Sequence, residues 1–581
     1  MSIVHPFYSK LYSIFESFCL SQIVTDHTHL GPNGTTSMID LIATSSPSLL
    51  QSCETIPPLS NSDHMGLLLQ SQWRQARQPR GGSTRYIWLY KHADWHKAHE
   101  LIEGTNWDSL LVDDVNISWE NWMKHFLEIM AECIPQRLLP NRRNLPWLSK
   151  SLVQLMRRRN MLFSQAKRSG KRLDVEKYKH IRNRVVTQLR RAKSSFLKNL
   201  NPRGNSKRFC SAVKHLNKKY DSIPVLKHGS VTANTNKEKA EMLNSFFSTC
   251  FNSAFPPLSP SNVHTATTCE VSNIDDLLCT EEEVYGLLSS LDVSKASGPD
   301  GISARMLKMT ADFIAPSVCK LFNISLQAGR VPQGWKQSTI VPVPKASPAC
   351  TPNSYRPVSL LSVLSKTLER HVYSIIINHL QTFNPLAESQ WGFLHGKSTV
   401  TGLLTTTYNW LSILEGGGEI GAVFFDLKKA FDSIPHEALL EKIRKTGLCD
   451  AILAWITDYL TCREQKVVVS GEESQNTNVL SGVPQGSVQG PLLFLIYIDD
   501  LARLPLLDGG QTVLYADDLL LFRPIKIQED YHHLQDDILT IEDWVNSNYL
   551  TLNPTKCKYM VHCSVTKEVS ICPCKFNAWW N

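Results

Sequence analysis

Two adjacent aspartates, Asp517 and Asp518, interrupt an apolar run from Val513 to Phe522. Apolar residues on both sides predict a β-hairpin with its tight turn at Ala516-Asp517-Asp518 and both arms buried. Carboxylates at the tip of a buried hairpin need a positive partner. A divalent ion is the expected one, because Mg²⁺ prefers hard oxygen ligands and keeps positions open for substrate phosphates. The stretch Ala422-Val423-Phe424-Phe425 ends on Asp426 in the same way and offers a third carboxylate. Three such groups suffice for a two-metal phosphoryl-transfer site.

A second set of chemistry-bearing residues lies near the start of the chain. Ser37 to Ile42 reads as a short strand carrying Asp40, and a Pro- and Ser-rich loop leads to Asp63-His64. An Asp-His pair in a loop is ordinarily polar surface. Its chemical reading is a His general base for water, with carboxylates orienting the ring and holding a metal.

The elements that must position these groups need a long chain. At 581 residues there is room for several domains. No run of 18 apolar residues occurs, so no membrane span is expected. Fifteen cysteines without a framework suit a reducing interior, in cytoplasm and nucleus. The charge is uneven. Arg142 to Arg208 holds 21 Lys and Arg against Asp174 and Glu176, which is +19 in a chain of net +8. Two amphipathic helices, broken at Ser169-Gly170, are expected there. Arg157, Arg158, Arg159, Arg182, Arg184, Arg190 and Arg191 fall on their polar faces and are candidates for nucleic-acid backbone binding. Trp88, Trp95, Trp107, Trp119 and Trp122 suggest packed helices just before this segment.

From about residue 278 the signals follow one another as in a single domain. A turn-rich loop, Lys295 to Ile302, precedes a helix, and Ser338 to Val343 reads as a strand. Lys345 and Arg356 flank the next turn and could grip a triphosphate. Gln390-Trp391-Gly392-Phe393, the Asp426 strand with Phe431 and Asp432 behind it, and Ser481 to Pro491 come next. In the last of these, Gln485 and Gly486 sit in a glycine-rich loop that permits close approach to a ligand or base pair. Beyond the hairpin lie a helix ending near Trp544, the motif Leu550 to Lys556, and a strand over Lys558 to Val561.

This order of motifs resembles the reverse transcriptase of LINE-type (non-LTR) retrotransposons, jockey-like elements above all. The Asp40 strand and the Ser62-Asp63-His64 loop resemble the end of the endonuclease/exonuclease/phosphatase domain of the same elements. The resemblance implies an α+β fold: right-hand polymerase fingers and palm over 278–562, a basic helical connector over 81–277, a partial α/β nuclease sandwich over 1–80 and a short tail from 563. It implies an RNA-directed DNA polymerase with two Mg²⁺ ions about 3.5–4 Å apart on Asp426, Asp517 and Asp518. Its partners would be an RNA template, a DNA primer and target, and deoxynucleoside triphosphates. Phe431 would exclude the ribose 2′-hydroxyl, Gln485 and Gly486 would line the nucleotide pocket, and Lys556 would assist the leaving group. The earlier nuclease motifs have no counterpart after Met1, so Asp40, Asp63 and His64 are expected not to nick DNA. The family's thumb is expected to be missing after Asn581.

Two departures stand out: Gln489 where relatives carry an apolar residue, and Leu394-His395 where they carry Arg-Pro. His562, Cys563, Cys572 and Cys574 match no standard zinc spacing. The competing readings are an inactive element copy that only binds nucleic acid, and a group II intron-like maturase, which the nuclease resemblance disfavours.

Overall fold

In the computed structural model, residues 11, 14–31, 35–56, 63–71, 85–139, 147–199, 223–251, 277–345 and 349–562 are described. The chain divides into two compact units, Met1–Gly82 and Ser83–Asn581.

In the first unit the pairing is local. Leu50–Ile56 pairs with Gly66–Ser71, and the two-residue strands Ser21–Gln22 and His29–Leu30 pair with Ala43–Thr44 and Thr36–Ser37. The strand expected over Ser37 to Ile42 is cut short: only Ser37 belongs to one, and Met38 to Ile42 lie outside any ladder. The buried Thr28 hydroxyl takes the place of ladder acceptors, receiving the backbone N–H of both Ile39 and Asp40 at 3.0 and 2.9 Å. The apolar side chains there stay in solvent, Ile39 at 51% exposed. Leu59, expected to share that face, lies outside the described residues.

The second unit is built on two sheets. The sheet on the expected palm strands, called the palm sheet below, runs Gln511–Tyr515, Asp518–Ile525, Glu419–Asp426, Lys558–His562, all antiparallel. The sheet on the expected fingers strands, called the fingers sheet below, runs Tyr355–Leu360, Gln337–Pro344, Arg463–Val469, with the second strand antiparallel to the first and parallel to the third. In Arg463–Val469 alternate residues Gln465, Val467 and Val469 turn inward, the period-2 pattern of a half-buried strand.

The long core joins segments that the sequence reading kept apart. The helix Val115–Cys133 buries Trp119, Trp122 and Phe126 in one cluster with Leu288, Phe322, Leu364, Leu493 and Leu519. Trp122 Nε1–H donates to Ser317 Oγ of the helix Ala311–Ala328 at 3.0 Å. The helix Asn236–Ser248, started by a Thr235/Glu238 capping box, buries Leu243 and Phe247 against Ile340, Tyr355 and Val467 of the fingers sheet. The connector expected over 81–277 is thereby reduced, among the described residues, to the helices Lys150–Ser169 and Arg172–Lys198. Hydrophobic burial made this assignment, and charge density could not see it.

Those two helices form a hairpin around Gly170, whose φ of +61° closes the first helix. Phe163 packs on Tyr178 and Trp147 on Phe196. No helix among the described residues is long and apolar enough to cross a membrane.

Candidate active site

The aspartate hairpin is present, with a different turn. Tyr515 pairs with Asp518, so Ala516 and Asp517 alone make the turn and Asp518 opens the second strand. The arms are not equally buried either: Leu519, Leu521 and Phe522 are enclosed, whereas Tyr515 is 39% exposed. Ala516 has φ +56°, a left-handed conformation that suits glycine. Gln390 holds it there. Gln390 Oε1 accepts the Ala516 N–H at 3.0 Å and the Gly392 N–H at 2.7 Å. Trp391 N–H donates to the Leu514 carbonyl, and Leu514 N–H to the Ser389 carbonyl. A Cβ on Gly392 would stand 2.5 Å from the Ala516 nitrogen, so only glycine lets the two loops touch. The motif Gln390 to Phe393 is thus a clamp beneath the aspartate turn, a role its sequence does not reveal.

Asp426 lies directly opposite Asp518 in the antiparallel pair. Like charges so placed repel. Burial raises the pKa of Asp517 above the ordinary carboxylate value, with further upward pushes from Asp518 and Asp426. Burial likewise raises Asp518, with Asp426 adding to it. Lys556 opposes both shifts. Its Nζ donates to both oxygens of Asp426 at 3.0 Å, and Asn553 Nδ2 donates to Oδ2 at 2.9 Å. Asn553 N–H also donates to the Asp426 carbonyl at 2.8 Å, which pins the motif Leu550 to Lys556 onto the strand end. The motif's sequence singles out Lys556 and gives no signal for Asn553. Hard carboxylate oxygens crowded together in this way suit a divalent metal. They do not converge as tightly as one other group: among the described residues, only His29, Asp63 and His64 bring one ligand atom each within 4.8 Å of one another.

Cations gather beside these acids. Burial lowers the pKa of Lys345, and repulsion from Lys556, Arg356 and Lys429 lowers it further. Register explains part of this, since Val343 pairs with Arg356 next to Lys345. Lys429, not foreseen, takes a left-handed φ of +48° and lays its Nζ over the Phe246 ring at 4.4 Å. Lys345, with three further cations acting on it, is a ready seat for a polyanion.

Phe431 is half-buried, stacked on Phe494 at 4.2 Å with Phe393 edge-on at 6.0 Å. Gly482 touches it from behind: a Cβ there would meet the Phe431 carbonyl at 2.5 Å. Gln485 Nε2 donates to Asp432 Oδ1 at 3.0 Å, and the Gln485 carbonyl accepts the Ser359 N–H at 2.9 Å. Gly486, at φ +111°, passes so close to the Ser359 carbonyl that a Cβ would stand 2.7 Å away. Burial pushes the Asp432 pKa up to about 6. A cavity of about 40 Å³ opens beside Asp432, Gln485, Ser359 and Arg463.

Residues 343–571 match the family model for reverse transcriptase, RNA-dependent DNA polymerase. That stretch is a reverse transcriptase domain similar to those of LINE-type, jockey-like elements. The probable RNA-directed DNA polymerase from transposon BS of Drosophila melanogaster is 31% identical over 47% of this chain and 31% of its own length. The RNA-directed DNA polymerase from mobile element jockey is 28% identical in Drosophila melanogaster, over 48% of this chain and 31% of the relative. In Drosophila funebris it is 30% identical, over 51% of this chain and 32% of the relative. The chain therefore spans about a third of the length of these curated relatives. A solved structure of apo telomerase from Candida tropicalis, truncated from its C-terminal domain, aligns at TM-score 0.32 and 12% identity. It covers 46% of this chain and 65% of that one, and a score so low carries no argument. Reverse transcriptases generally depend on a divalent metal and take a nucleic-acid template and nucleotide substrates.

The two departures of this reverse transcriptase domain have physical accounts. Gln489 is fully buried, but its Nε2 donates to the Glu369 carbonyl at 2.9 Å. Glu369 Oε2 in turn accepts the N–H of Val488 and Gln489 at 2.7 and 3.2 Å, capping the helix Gln489–Ile498 that follows the Gly486 loop. Leu394 packs on the main core, and Phe393 beside it takes φ +57°.

The remaining expected residues fall elsewhere. Arg157, Arg158, Arg182, Arg184, Arg190 and Arg191 are exposed on the helical hairpin. Arg159 is half-exposed and donates to Asn160 Oδ1. Asp40, Asp63 and His64 lie in the first unit, where His64 Nδ1 is 2.7 Å from Asp40 Oδ2. Of the zinc candidates only His562 is described; Cys563, Cys572 and Cys574 lie outside the described residues.

Proposed function

We propose that this chain copies RNA into DNA as the polymerase of a non-LTR retrotransposon, transferring nucleotidyl groups at Asp426, Asp517 and Asp518. The observation that carries this reading is Asp426 set directly across from Asp518 in the palm sheet, with Lys556 on its carboxylate. Two Mg²⁺ ions are the proposed cofactors, which when bound lower the pKa of the primer 3′-hydroxyl and neutralise charge on the departing pyrophosphate.

The chain's own residues bind and orient. Lys345, Arg356 and Lys429 would receive the triphosphate, relieving the repulsion that Lys345 feels from the other two. Lys556 would turn from Asp426 toward the leaving group as the carboxylate takes up its cation. Phe431, braced by Phe494, would stand against the 2′ position of the incoming sugar. Gln485 and Gly486 would carry the template base, held by Ser359 and Asp432. The exposed arginines of the hairpin would supply sequence-independent affinity for RNA and for the DNA primer and target. Free thiols such as Cys133, Cys279, Cys319 and Cys557 support work in the reducing cytoplasm and nucleus.

Primer extension on an RNA template with deoxynucleotides and Mg²⁺ tests the reading. Template-dependent DNA synthesis is expected, and it should vanish with chelator. Template binding without synthesis would overturn it in favour of a nucleic-acid-binding relic. Deleting 142–208 should flatten the log–log dependence of RNA affinity on salt by several units, at about 0.7 per contacted phosphate of single strand.

A further inference from the structure

We infer that Glu369 is a positioning residue for nucleotide binding: from the helix Val363–Phe383 it holds the Gln485-Gly486 loop in register with Arg356. The helix Gln489–Ile498, which follows that loop, starts at Val488 without a side-chain cap of its own. Its first N–H groups have no partner within the helix. Glu369 supplies one from 119 positions away.

Glu369 is fully buried, and dipoles rather than a surface receive its carboxylate. Oε2 accepts the N–H of Val488 at 2.7 Å and of Gln489 at 3.2 Å, and Oε1 accepts the Ser365 hydroxyl at 3.2 Å. Burying a carboxylate is costly. A serine or aspartate at position 488 would cap the same helix without that cost. What the distant cap adds is a link between two segments.

The link is reciprocal. Gln489 Nε2 donates to the Glu369 carbonyl at 2.9 Å, so each side chain holds the other's backbone. At the other end of the loop, Ser359 N–H donates to the Gln485 carbonyl at 2.9 Å, and Gly486 passes against the Ser359 carbonyl. Between these ends Ser487 Oγ donates to the Pro484 carbonyl and accepts the Gly490 N–H, both at 2.8 Å, so the turn keeps its shape. Ser359 and Glu369 belong to one continuous stretch, the strand Tyr355–Leu360 and the helix Val363–Phe383, and Arg356 lies on that strand. The loop and the arginine thus hang from one frame. A nucleotide gripped at Arg356 pairs with a base carried at Gln485, and binds best when their separation is set before it arrives. This role rests on the polymerase reading; the tether itself does not.

The test uses the full chain with Glu369→Gln, which keeps the shape, and Glu369→Ala. Primer extension on an RNA template separates KM for deoxynucleoside triphosphate from kcat, and RNA affinity is measured alongside. KM should rise about tenfold in Glu369→Gln, within the scale of a small misplacement, and further in Glu369→Ala. The change in kcat should be much smaller, and RNA affinity should hold. Leu364→Ala, a buried truncation on the same helix, should lower Tm without moving KM. Unchanged KM in Glu369→Ala, or an equal rise in Leu364→Ala, overturns the role. Amide hydrogen exchange read by mass spectrometry follows the tether directly: residues 485–490 should exchange about tenfold faster or more in Glu369→Gln, while 370–380 keep their protection. Unchanged exchange at 485–490 overturns the tether. A wild-type chain that makes no DNA fails the polymerase reading instead, and exchange still decides for or against the tether.

Discussion

The palm aspartates and the His29/Asp63/His64 group are both sets of metal-capable side chains, yet they are assembled by opposite means. In the palm, eight residues of Glu419–Asp426 pair along their whole length with Asp518–Ile525, backed by Leu519, Leu521 and Phe522 in the core. That framework holds like charges together, and it raises the pKa of Asp517 and Asp518. In the first unit the strands are two residues long and the apolar flank is exposed. There the groups attract: the hydrogen bond from His64 lowers the pKa of Asp40, and the bond to Asp40 raises that of His64. Repelling groups need a rigid scaffold to be brought together, whereas attracting groups need little more than a bridge.

The largest effect that could break this contrast is on chemistry. Asp426→Asn keeps the shape and removes a charged ligand, so DNA synthesis should fall by orders of magnitude while RNA binding holds. His64→Ala should leave synthesis unchanged. Retained synthesis in the first variant would remove the palm from the mechanism.

The scaffold itself comes next. Gly392→Ala drives a Cβ into the Ala516 backbone and should lower synthesis by up to about 100-fold, the scale of a 1 Å misplacement. Gly31→Ala in the first unit meets chiefly the Thr35 side chain, which can rotate, so its unfolding transition should hardly move. Equal, small responses from both glycines would mean that the clamp is not rigid.

A narrower test concerns the sugar. Phe431→Val should raise ribonucleotide incorporation relative to deoxyribonucleotide by about tenfold or more, the scale of a small steric change in a pocket. Unchanged discrimination in an active variant would make Phe431 a core residue only.

The smallest effects are on stability, and here the signs differ. In chelator, Asp518→Asn should raise Tm near neutral pH, because ionising a group with a raised folded pKa opposes folding. The gain should fade as pH drops below that pKa. Asp40→Asn should instead slightly lower the midpoint of the first unit. The Asp40–His64 pair stabilises between two limits: it is lost in acid as Asp40 protonates below its depressed pKa, and in base as His64 deprotonates above its raised one. Melting both variants from pH 3 to 9 checks this, and the same sign for the two would dissolve the comparison.

The sequence by itself determined the local elements and the identities of the reacting groups. Alternating and apolar runs ending on Asp426, and flanking Asp517-Asp518, specified strands, because burial of a pleated face is written at period two. The helix breaks at Gly170 and the turn glycines were equally local. What only the tertiary structure decided were relations between distant segments. Gln390 lies 126 positions from Ala516 and Asn553 lies 127 from Asp426. Nothing in either residue's neighbours specifies those hydrogen bonds. Trp122 entered the main core of the second unit rather than a separate connector because its buried face fits the helix Ala311–Ala328, a match of surfaces invisible in composition. His29 joined His64 through one bridge across a loop. Side-chain chemistry is local to the chain, but its geometry is fixed by which apolar surfaces exclude water together.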